Sequence, residues 1–362
     1  MTYQERRKRG NVLLGSILIT LTLLGQGLVF PSYGQLIRQQ REALSEQKIP
    51  IPGVNSGISF KHRLTGHTTP IRSLAFSPDG KTVISGGGTN EPFLKFWSIH
   101  SGHETDTLRT QSSAILTLAI SPNGRTLISS GEDADIHFRA WPQRKNKVTF
   151  FDHYSHVLDL VVTPDSQLVV TGALDGIRVW TLEPPRLLYQ LEDFGTPAYA
   201  LAMHPNGFLV ASGDNQGIVR FWNLRDRTTV SEFSAHSEPI SGLVITLDQK
   251  RLITASHDST IKVWDLATGD LLDTWTGNRG RITSIALSPN GKVLASASND
   301  GVRLWNTETG RLLRHFTNHT DRVTVVAFSP DGKYLASGGF DRAVNLWEIS
   351  PGFYESLTLR RN

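Results

Sequence analysis

Seven tryptophans recur along this chain at almost even intervals, and their spacing constrains the fold more than any other feature. The series consists of Trp97, Trp141, Trp180, Trp222, Trp264, Trp305 and Trp347. A repeat period of roughly 40 residues indicates one supersecondary unit that is copied along the chain, here seven times. Because repeat architectures commonly carry their activity in variable loops, the period by itself does not specify a function.

Each copy contains segments that are typical of short antiparallel strands. An apolar run such as VTVVAFSP opens the copy, and its lack of apolar–polar alternation predicts a strand covered on both faces. A turn such as SPDGK follows, in which proline, aspartate and glycine suit a tight hairpin. A second strand, a third that ends near the tryptophan and a fourth after it complete the unit. The sequence therefore predicts an all-β fold, a seven-bladed β-propeller of four-stranded antiparallel blades.

The repeated unit resembles the WD-repeat family, and the resemblance covers residues 58–349. In that family a histidine before the first strand, a serine or threonine on the second strand, an aspartate in the next turn and the tryptophan form a hydrogen-bonded set. The physical reason is that a buried imidazole and a buried carboxylate must both be partnered. The resemblance implies complete sets in copies three, five and seven, which are His153, Thr171, Asp175 and Trp180; His236, Thr254, Asp258 and Trp264; and His319, Ser337, Asp341 and Trp347.

Four copies depart from this pattern. Copy six has Asn278 where the histidine belongs, and copy four has Phe194 at the histidine position and Gln216 at the aspartate position. Copies one and two carry insertions before the tryptophan, so their turn acids cannot be aligned. We therefore expect blades one and two to be the least regular.

The number of strands predicts how the ring closes. Copy seven ends at its third strand, whereas ISFKHRL (58–64) precedes blade one and has no blade of its own. We expect residues 58–64 to form the outermost strand of the last blade, which removes an open sheet edge. The alternative is the segment LTLRR near the C-terminus.

The segment that precedes the repeats, residues 1–57, has a different composition from them. Residues 1–11 form a basic head, residues 12–30 contain no charge, and residues 31–57 form a polar and Pro/Gly-rich linker; residues 350–362 form a C-terminal tail. A basic head before an apolar segment predicts one hydrophobic helix that anchors the chain in a membrane, with a cytoplasmic N-terminus and the propeller on the other side. The alternatives are a cleaved signal, which predicts a secreted, periplasmic or lumenal protein, and a buried helix.

Charge and cysteine content exclude several classes of function. The net charge of +4 lies in residues 1–50, because basic and acidic side chains are equal in number over residues 51–362. Nucleic-acid binding depends on concentrated positive charge, so no nucleic-acid partner is predicted. The absence of cysteine excludes disulfides, thiolate metal sites and cysteine nucleophiles.

No motif of catalytic or cofactor chemistry survives comparison with the repeat. The segment AFSPDGKT (75–82) resembles a phosphate-binding loop, but it is one copy of the hairpin turn and precedes a strand. The acidic residues Glu132, Asp133 and Asp135 are interpreted as a solvated loop in preference to a cation site. No catalytic residue, metal site or cofactor is predicted, and the histidines before the first strands are assigned to structural positions, namely His67, His153, His236 and His319.

Candidate binding residues lie on loops of blades five to seven. Residues before each first strand and before each turn aspartate are expected near the entrance of the ring, a face that commonly docks peptides in the resembled family. Arginine and aromatic residues are enriched at binding hot spots. The sequence therefore predicts a non-catalytic scaffold that binds an acidic or mixed peptide, with an exported lyase or hydrolase as the alternative, and the candidate binding residues are His257, Arg281, Asn299, Arg322 and Phe340.

Overall fold

A computed structural model describes residues 57–191 and 196–357, which all lie in the second of two units into which the chain divides, Val54–Asn362. Within the described residues, 28 strands form seven sheets, and each sheet has four antiparallel strands. The all-β, seven-bladed propeller predicted from the repeat is therefore confirmed. Blades one to seven are numbered below in the chain order of their innermost strands.

The strands of each blade follow one another along the chain, except in blade seven, whose outermost strand is β1 (Ile58–Thr65). Blades one to four contain β2 (Ile71–Phe76), β3 (Thr82–Gly87), β4 (Phe93–Ser98), β5 (Glu104–Arg109); β6 (Ile115–Ile120), β7 (Thr126–Gly131), β8 (Ile136–Ala140), β9 (Asn146–Phe150); β10 (Val157–Val162), β11 (Leu168–Ala173), β12 (Gly176–Leu182), β13 (Pro185–Gln190); β14 (Ala200–Met203), β15 (Leu209–Gly213), β16 (Ile218–Asn223) and β17 (Thr228–Ser234). Blades five to seven contain β18 (Ile240–Ile245), β19 (Arg251–Ser256), β20 (Ile261–Asp265), β21 (Leu271–Trp275); β22 (Ile282–Leu287), β23 (Val293–Ser298), β24 (Gly301–Asn306), β25 (Leu312–Phe316); β26 (Val323–Phe328), β27 (Tyr334–Gly339) and β28 (Ala343–Ile349).

The turn after each innermost strand is built by local hydrogen bonds. In blade one, Ser77 Oγ donates to Asp79 Oδ1 at 2.6 Å, and the backbone N–H of Thr82 donates to Ser77 Oγ at 2.9 Å. Gly80 has a φ of 66°, a left-handed conformation that glycine adopts at little cost. Gln249 has a φ of 59° in the matching turn of blade five, so the turn persists there without glycine.

The apolar core lies between neighbouring blades. Ile128 and Phe138 of blade two, for example, pack in one buried cluster with Leu160 and Trp180 of blade three. Each blade therefore buries both of its faces, which explains why the inner strands are apolar throughout and do not alternate.

Polar side chains on the innermost strands connect each blade to the next. Ser73 Oγ donates to the carbonyl of Ile115 at 2.8 Å, and Thr283 Oγ1 donates to the carbonyl of Val323 at 2.8 Å. The two residues in each contact are separated by about one repeat along the sequence, because the innermost strands of neighbouring blades lie side by side around a central channel.

The ring closes through β1, as predicted. This strand pairs with β28 in antiparallel register from Ile58 opposite Ile349 to Thr65 opposite Ala343. Leu64 on β1 is only 1% exposed and packs in a core cluster shared by blades seven and one. Because β1 occupies this edge, the alternative C-terminal strand has no place there. The chain continues after β28 into a short helix, α1 (Pro351–Ser356).

The predicted membrane location requires correction. Among residues 57–191 and 196–357, no helix is long and apolar enough to cross a membrane. The helix that these residues contain, α1, has 6 residues, whereas about 20 are needed to span a bilayer. On this finding the prediction of a single-pass membrane protein is wrong. The apolar segment 12–30, on which the prediction of a hydrophobic helix rested, lies outside the described residues.

Candidate functional site

Blades three and five each contain the hydrogen-bonded set that the family resemblance implies. In blade three, His153 Nδ1 lies 2.8 Å from Asp175 Oδ1, and its Nε2 lies 2.8 Å from Thr171 Oγ1. The indole N–H of Trp180 donates to the same hydroxyl at 2.9 Å. Blade five repeats this geometry, with distances of 2.8, 2.7 and 3.0 Å among Asp258, His236, Thr254 and Trp264.

In blade seven the same set also binds the closing strand. His319 Nδ1 lies 2.9 Å from Asp341 Oδ1, and its Nε2 lies 2.7 Å from Ser337 Oγ. Arg63 on β1 donates to Asp341 Oδ2 at 2.9 Å. Trp347 is buried and stacks on Phe316 of blade six, with ring centroids 5.0 Å apart. The carboxylate therefore links the network of the last blade to the strand that closes the ring.

The environment of these carboxylates keeps them ionised. Burial alone would raise the pKa of Asp175, but hydrogen bonds from His153 and from the backbone N–H of Tyr154 outweigh it and lower the pKa to about 2. The same balance lowers the pKa values of Asp258 and Asp341. Burial also lowers the pKa of the His153 imidazole, which favours its neutral form. These groups are engaged with one another inside the sheets.

We expect acid to destabilise the protein through these carboxylates. A carboxyl group whose pKa is lower in the folded state stabilises the fold above its unfolded pKa of about 4, and this stability is lost as the pH falls through the folded pKa. For Asp175 the folded pKa is about 2, and a difference of almost two units corresponds to about 2 kcal/mol. The unfolding temperature of the Asp175→Asn variant should therefore change less between pH 5 and pH 2 than that of the wild type. The Asp226→Asn variant, altered at an exposed loop residue, should keep the wild-type pH profile, and equal profiles for all three proteins would contradict the expectation.

Blade one contains a matching set that the sequence alignment missed, although His67 Nδ1 forms no hydrogen bond of good geometry there. Glu91 replaces the turn aspartate, and its Oε1 lies 3.1 Å from His67 Nδ1. Ser85 Oγ lies 2.7 Å from His67 Nε2 and accepts the indole N–H of Trp97 at 2.8 Å. The signal was available, because Glu91 stands six residues before Trp97, just as Asp341 stands six residues before its tryptophan. Because the insertion before Glu91 lengthens the loop after β3, counting from the second strand does not align Glu91 with the turn aspartates.

Blades four and six pair their turn acids with arginine. In blade four the turn acid is Asp214, two residues before the predicted position Gln216, and Arg220 Nη1 donates to it at 2.7 Å. In blade six Arg303 donates to Asp300 through two nitrogens, at 2.6 and 2.5 Å. The position of Phe194 lies outside the described residues.

Blade two departs most from the pattern, and its tryptophan is displaced from the series. Strand pairing places Arg139 opposite Leu127, the position at which Trp97 faces Val83 in blade one. Trp141 lies two residues further along and stacks on Phe96 of blade one, with ring centroids 6.0 Å apart. This shift explains why the interval before Trp141 is longer than the interval after it, since the structural period runs through Arg139. The assumption that all seven tryptophans are equivalent is therefore wrong for blade two.

The five candidate binding residues come together at the central channel. A cavity of about 670 Å³ is lined by the innermost strands and by loops at one end of the ring. All five candidate residues line it, namely His257, Arg281, Asn299, Arg322 and Phe340. We call this surface the channel mouth, and it also includes Arg72 of blade one, which the sequence analysis did not select.

The channel mouth concentrates positive charge around one aromatic ring. The guanidinium of Arg322 lies 3.6 Å from the centroid of the Phe340 ring, and that of Arg72 lies 5.1 Å from it. Burial lowers the pKa of Arg72, the charge of Glu132 opposes this effect, and the charge of Arg322 reinforces it. Because an arginine remains protonated despite such shifts, like charges are held close together here.

Two further titratable residues with shifted pKa values, His257 and Asp159, line this cavity. Burial, together with the charge of Arg281, lowers the pKa of His257. Burial raises the pKa of Asp159 to about 6, while its oxygens accept the backbone N–H groups of Leu160 and Leu201 at 2.8 Å. Asp159 is the one carboxylate among the described residues that line the cavity, so they provide no pair of carboxylates for acid–base catalysis.

Comparison with known proteins identifies the repeated unit. The family described as WD domain, G-beta repeat matches this chain seven times, over residues 58–98, 102–138, 144–181, 186–223, 227–265, 269–306 and 310–348. Each match begins in or just before the outermost strand of one blade and ends within the third strand of the next. Together the matches cover well over half of the chain.

Similar proteins are longer than this chain. Cilia- and flagella-associated protein 52 of Bos taurus is 25% identical over 237 residues, which are 65% of this chain and 31% of that protein. Periodic tryptophan protein 2 homolog of Dictyostelium discoideum is 24% identical over 259 residues, 65% of this chain and 28% of that protein. WD repeat-containing protein 26 homolog of Arabidopsis thaliana is 28% identical over 254 residues, 67% of this chain and 42% of that protein. The matches thus span less than half the length of these relatives.

Proposed function

The chain belongs to the WD40 repeat family, and from this premise we propose that it is a non-catalytic scaffold that binds an acidic segment of a partner protein at its channel mouth. The observation that carries the proposal is the convergence of Arg72, Arg281 and Arg322, from blades one, six and seven, on one cavity. Three guanidinium groups in a concave site attract carboxylates, because the low-dielectric walls focus their field.

The other residues of the channel mouth suit peptide recognition. Phe340 offers an aromatic surface that two guanidinium groups hold in place, and Asn299 is exposed at the same rim. Arginine binds carboxylates through two parallel hydrogen bonds, which adds geometric specificity to the attraction. An aromatic anchor beside such donors is the composition that binding hot spots favour.

Several observations support binding in preference to catalysis. The imidazoles and carboxylates of blades three, five and seven are hydrogen-bonded to each other within their sheets, and those of blade one lie 3.1 Å apart. In the cavity, the carboxylate of Asp159 accepts two backbone N–H groups. The alternative of an exported lyase or hydrolase in the channel is therefore not favoured. The relatives are named for other assemblies, and we carry no partner over from those names.

We expect a fluorescein-labelled decapeptide of aspartate and glutamate to bind the protein at low ionic strength, measured by fluorescence anisotropy. The double variant Arg281→Ala/Arg322→Ala should weaken binding by roughly tenfold or more, because each charge-assisted hydrogen bond contributes about 1.5–3 kcal/mol. A lysine-rich decapeptide of the same length should not bind.

The control removes two positive charges from the opposite end of the ring. Lys81 and Lys250 are exposed in the turns after the innermost strands of blades one and five, and successive turns of an antiparallel sheet lie at opposite ends. The Lys81→Ala/Lys250→Ala variant should therefore bind the acidic peptide as the wild type does. Equal weakening by both double variants would reduce the effect to net charge and would contradict the proposed site.

A further inference from the structure

Blade two brings three potential ligand groups together beside the turn that precedes β8. One ligand atom each from Asp133, Asp135 and His137 lies within 4.8 Å of the other two. The spacing follows from local structure, because successive side chains of an extended strand alternate between its faces. Asp135 and His137, two residues apart at the start of β8, therefore lie on the same side of the strand.

The carboxylate of Asp133 lacks the partner that the matching acids have. In blades three, five and seven the turn aspartate contacts a histidine at 2.8 or 2.9 Å. In blade two Gln111 takes the histidine position, and its amide Nε2 donates to Ser129 Oγ at 3.3 Å. Over residues 57–191 and 196–357, neither Asp133 nor Asp135 forms an ion pair with a cationic side chain. In the described part of the chain, two neighbouring carboxylates therefore have no cationic side chain in direct contact.

A ring nitrogen of His137 lies within 4.8 Å of a ligand oxygen of each carboxylate. Its Nδ1 lies 3.0 Å from Thr149 Oγ1, which leaves Nε2 for another ligand. The side chain is only 9% exposed, and Nε2 is buried without a hydrogen-bond partner. A buried polar atom of this kind normally has a partner, and leaving it without one is costly.

At the position that His137 occupies in its strand, blade two differs from blades three to six. His137 faces Ser129 across the sheet, and in blade five the matching position opposite Thr254 holds Lys262. In blades three, four and six an arginine approaches the turn acid. Blade two has a neutral ligand where these blades supply positive charge. The nearest guanidinium on the same strand, that of Arg139, forms no ion pair with either carboxylate in the described chain.

We propose that Asp133, Asp135 and His137 bind a divalent transition-metal ion, with Zn²⁺ as the ion to test. Two carboxylates and one imidazole are a ligand set that Zn²⁺ accepts, and water would complete the coordination. The three ligand atoms lie within 4.8 Å of one another, so at most a small rearrangement of the turn accompanies binding. The inference is independent of the proposed peptide-binding function.

The surroundings of the three ligands contain the supporting contacts that a metal site needs. The backbone N–H and the hydroxyl of Ser112 donate to Asp133 Oδ2, at 2.7 and 3.1 Å. Thr149 holds the imidazole through Nδ1, as the second hydrogen bond of a metal-bound histidine usually does. These contacts orient two of the three ligands before any metal binds.

The test is a calorimetric titration of Zn²⁺ into the full chain after removal of metals with a chelator. We expect one Zn²⁺ per chain at this site, and an increase in the unfolding temperature when the metal is present. The variants His137→Lys, which installs the residue found in blade five, and Asp135→Asn should each weaken binding by roughly 10- to 100-fold. Mg²⁺ and Ca²⁺ should bind much more weakly, since they disfavour imidazole.

The matched control is His103→Gln, which removes an exposed histidine far from the turn and should leave Zn²⁺ binding unchanged. Unfolding temperatures without metal establish that each variant is folded, and the partly exposed Asp135 provides a variant that does not disturb the core. Absence of binding at millimolar Zn²⁺, wild-type affinity in both site variants, or equal loss in the control would overturn the proposal.

Discussion

Replacing Thr171 by valine should lower the free energy of unfolding by about 2–4 kcal/mol, a large effect for a change that preserves the shape of the side chain. With the His153 imidazole neutral, the indole N–H of Trp180 donates to the threonine hydroxyl, which in turn donates to His153 Nε2. Valine leaves both of these buried groups without a partner. Each unsatisfied buried group costs about 1–3 kcal/mol, and the Thr171 side chain is fully buried.

The measurement is differential scanning calorimetry, in which we expect the unfolding temperature of Thr171→Val to fall by about 3–7 °C. Thr254→Val in blade five should have a similar effect, because its hydroxyl has the same two partners. The control is Thr229→Val on the exposed outer strand β17, which should change stability by less than about 0.5 kcal/mol. If the buried and exposed substitutions have the same effect, the network does not stabilise the blade as described.

A chain that begins at residue 66, and therefore lacks β1, should unfold far more easily than one that begins at residue 54. Removal of β1 exposes the edge of β28 along its whole length, and an open edge invites pairing with other chains. It also removes Leu64, which is 1% exposed in the core between blades seven and one. The shorter chain should aggregate during size-exclusion chromatography or unfold at least about 5 °C lower, since losing one buried leucine alone costs about 2–5 kcal/mol.

A synthetic peptide of residues 57–66 tests whether the missing strand itself is the cause. Added in excess to the shorter chain, it should restore much of the unfolding temperature by pairing with β28. The control in the full chain is Lys61→Ala, which removes a partly exposed ion pair with Glu348 at 3.1 Å and should cost at most about 1 kcal/mol. A stable, monomeric chain without β1 would contradict this account of ring closure.

Much of the fold could be predicted from short-range patterns. The apolar runs, the hairpin turns and the regular repeat period depend on interactions within one copy. Because the strands pair in the same way in every blade, these patterns predict each blade in turn. The closing role of residues 58–64 also followed, because counting strands left one blade incomplete. The five candidate binding residues were chosen by their positions in the repeat, and those positions do lie around one cavity.

The errors arose where side chains changed while the backbone kept its register. Blade two keeps the same strand pairing as the others, but Arg139 stands at the tryptophan position and Trp141 packs against blade one. In blade one an insertion placed Glu91 beyond the range of the alignment, although its carboxylate reaches His67. Matching by residue type therefore identified the regular blades, failed at the two with insertions and misplaced the turn acid of blade four, which is Asp214.

The sequence by itself determined the repeated unit, the number of blades and the strand that closes the ring, because these depend on spacing along the chain. Only the tertiary structure decided which polar groups face one another. The approach of His137 to Asp133 and Asp135 and the gathering of Arg72, Arg281 and Arg322 belong to this second kind. The physical reason is that strand register brings the imidazole close to the two carboxylates, and the packing of blades around a common axis brings the three arginines together. Neither distance is encoded in the spacing of residues along one copy.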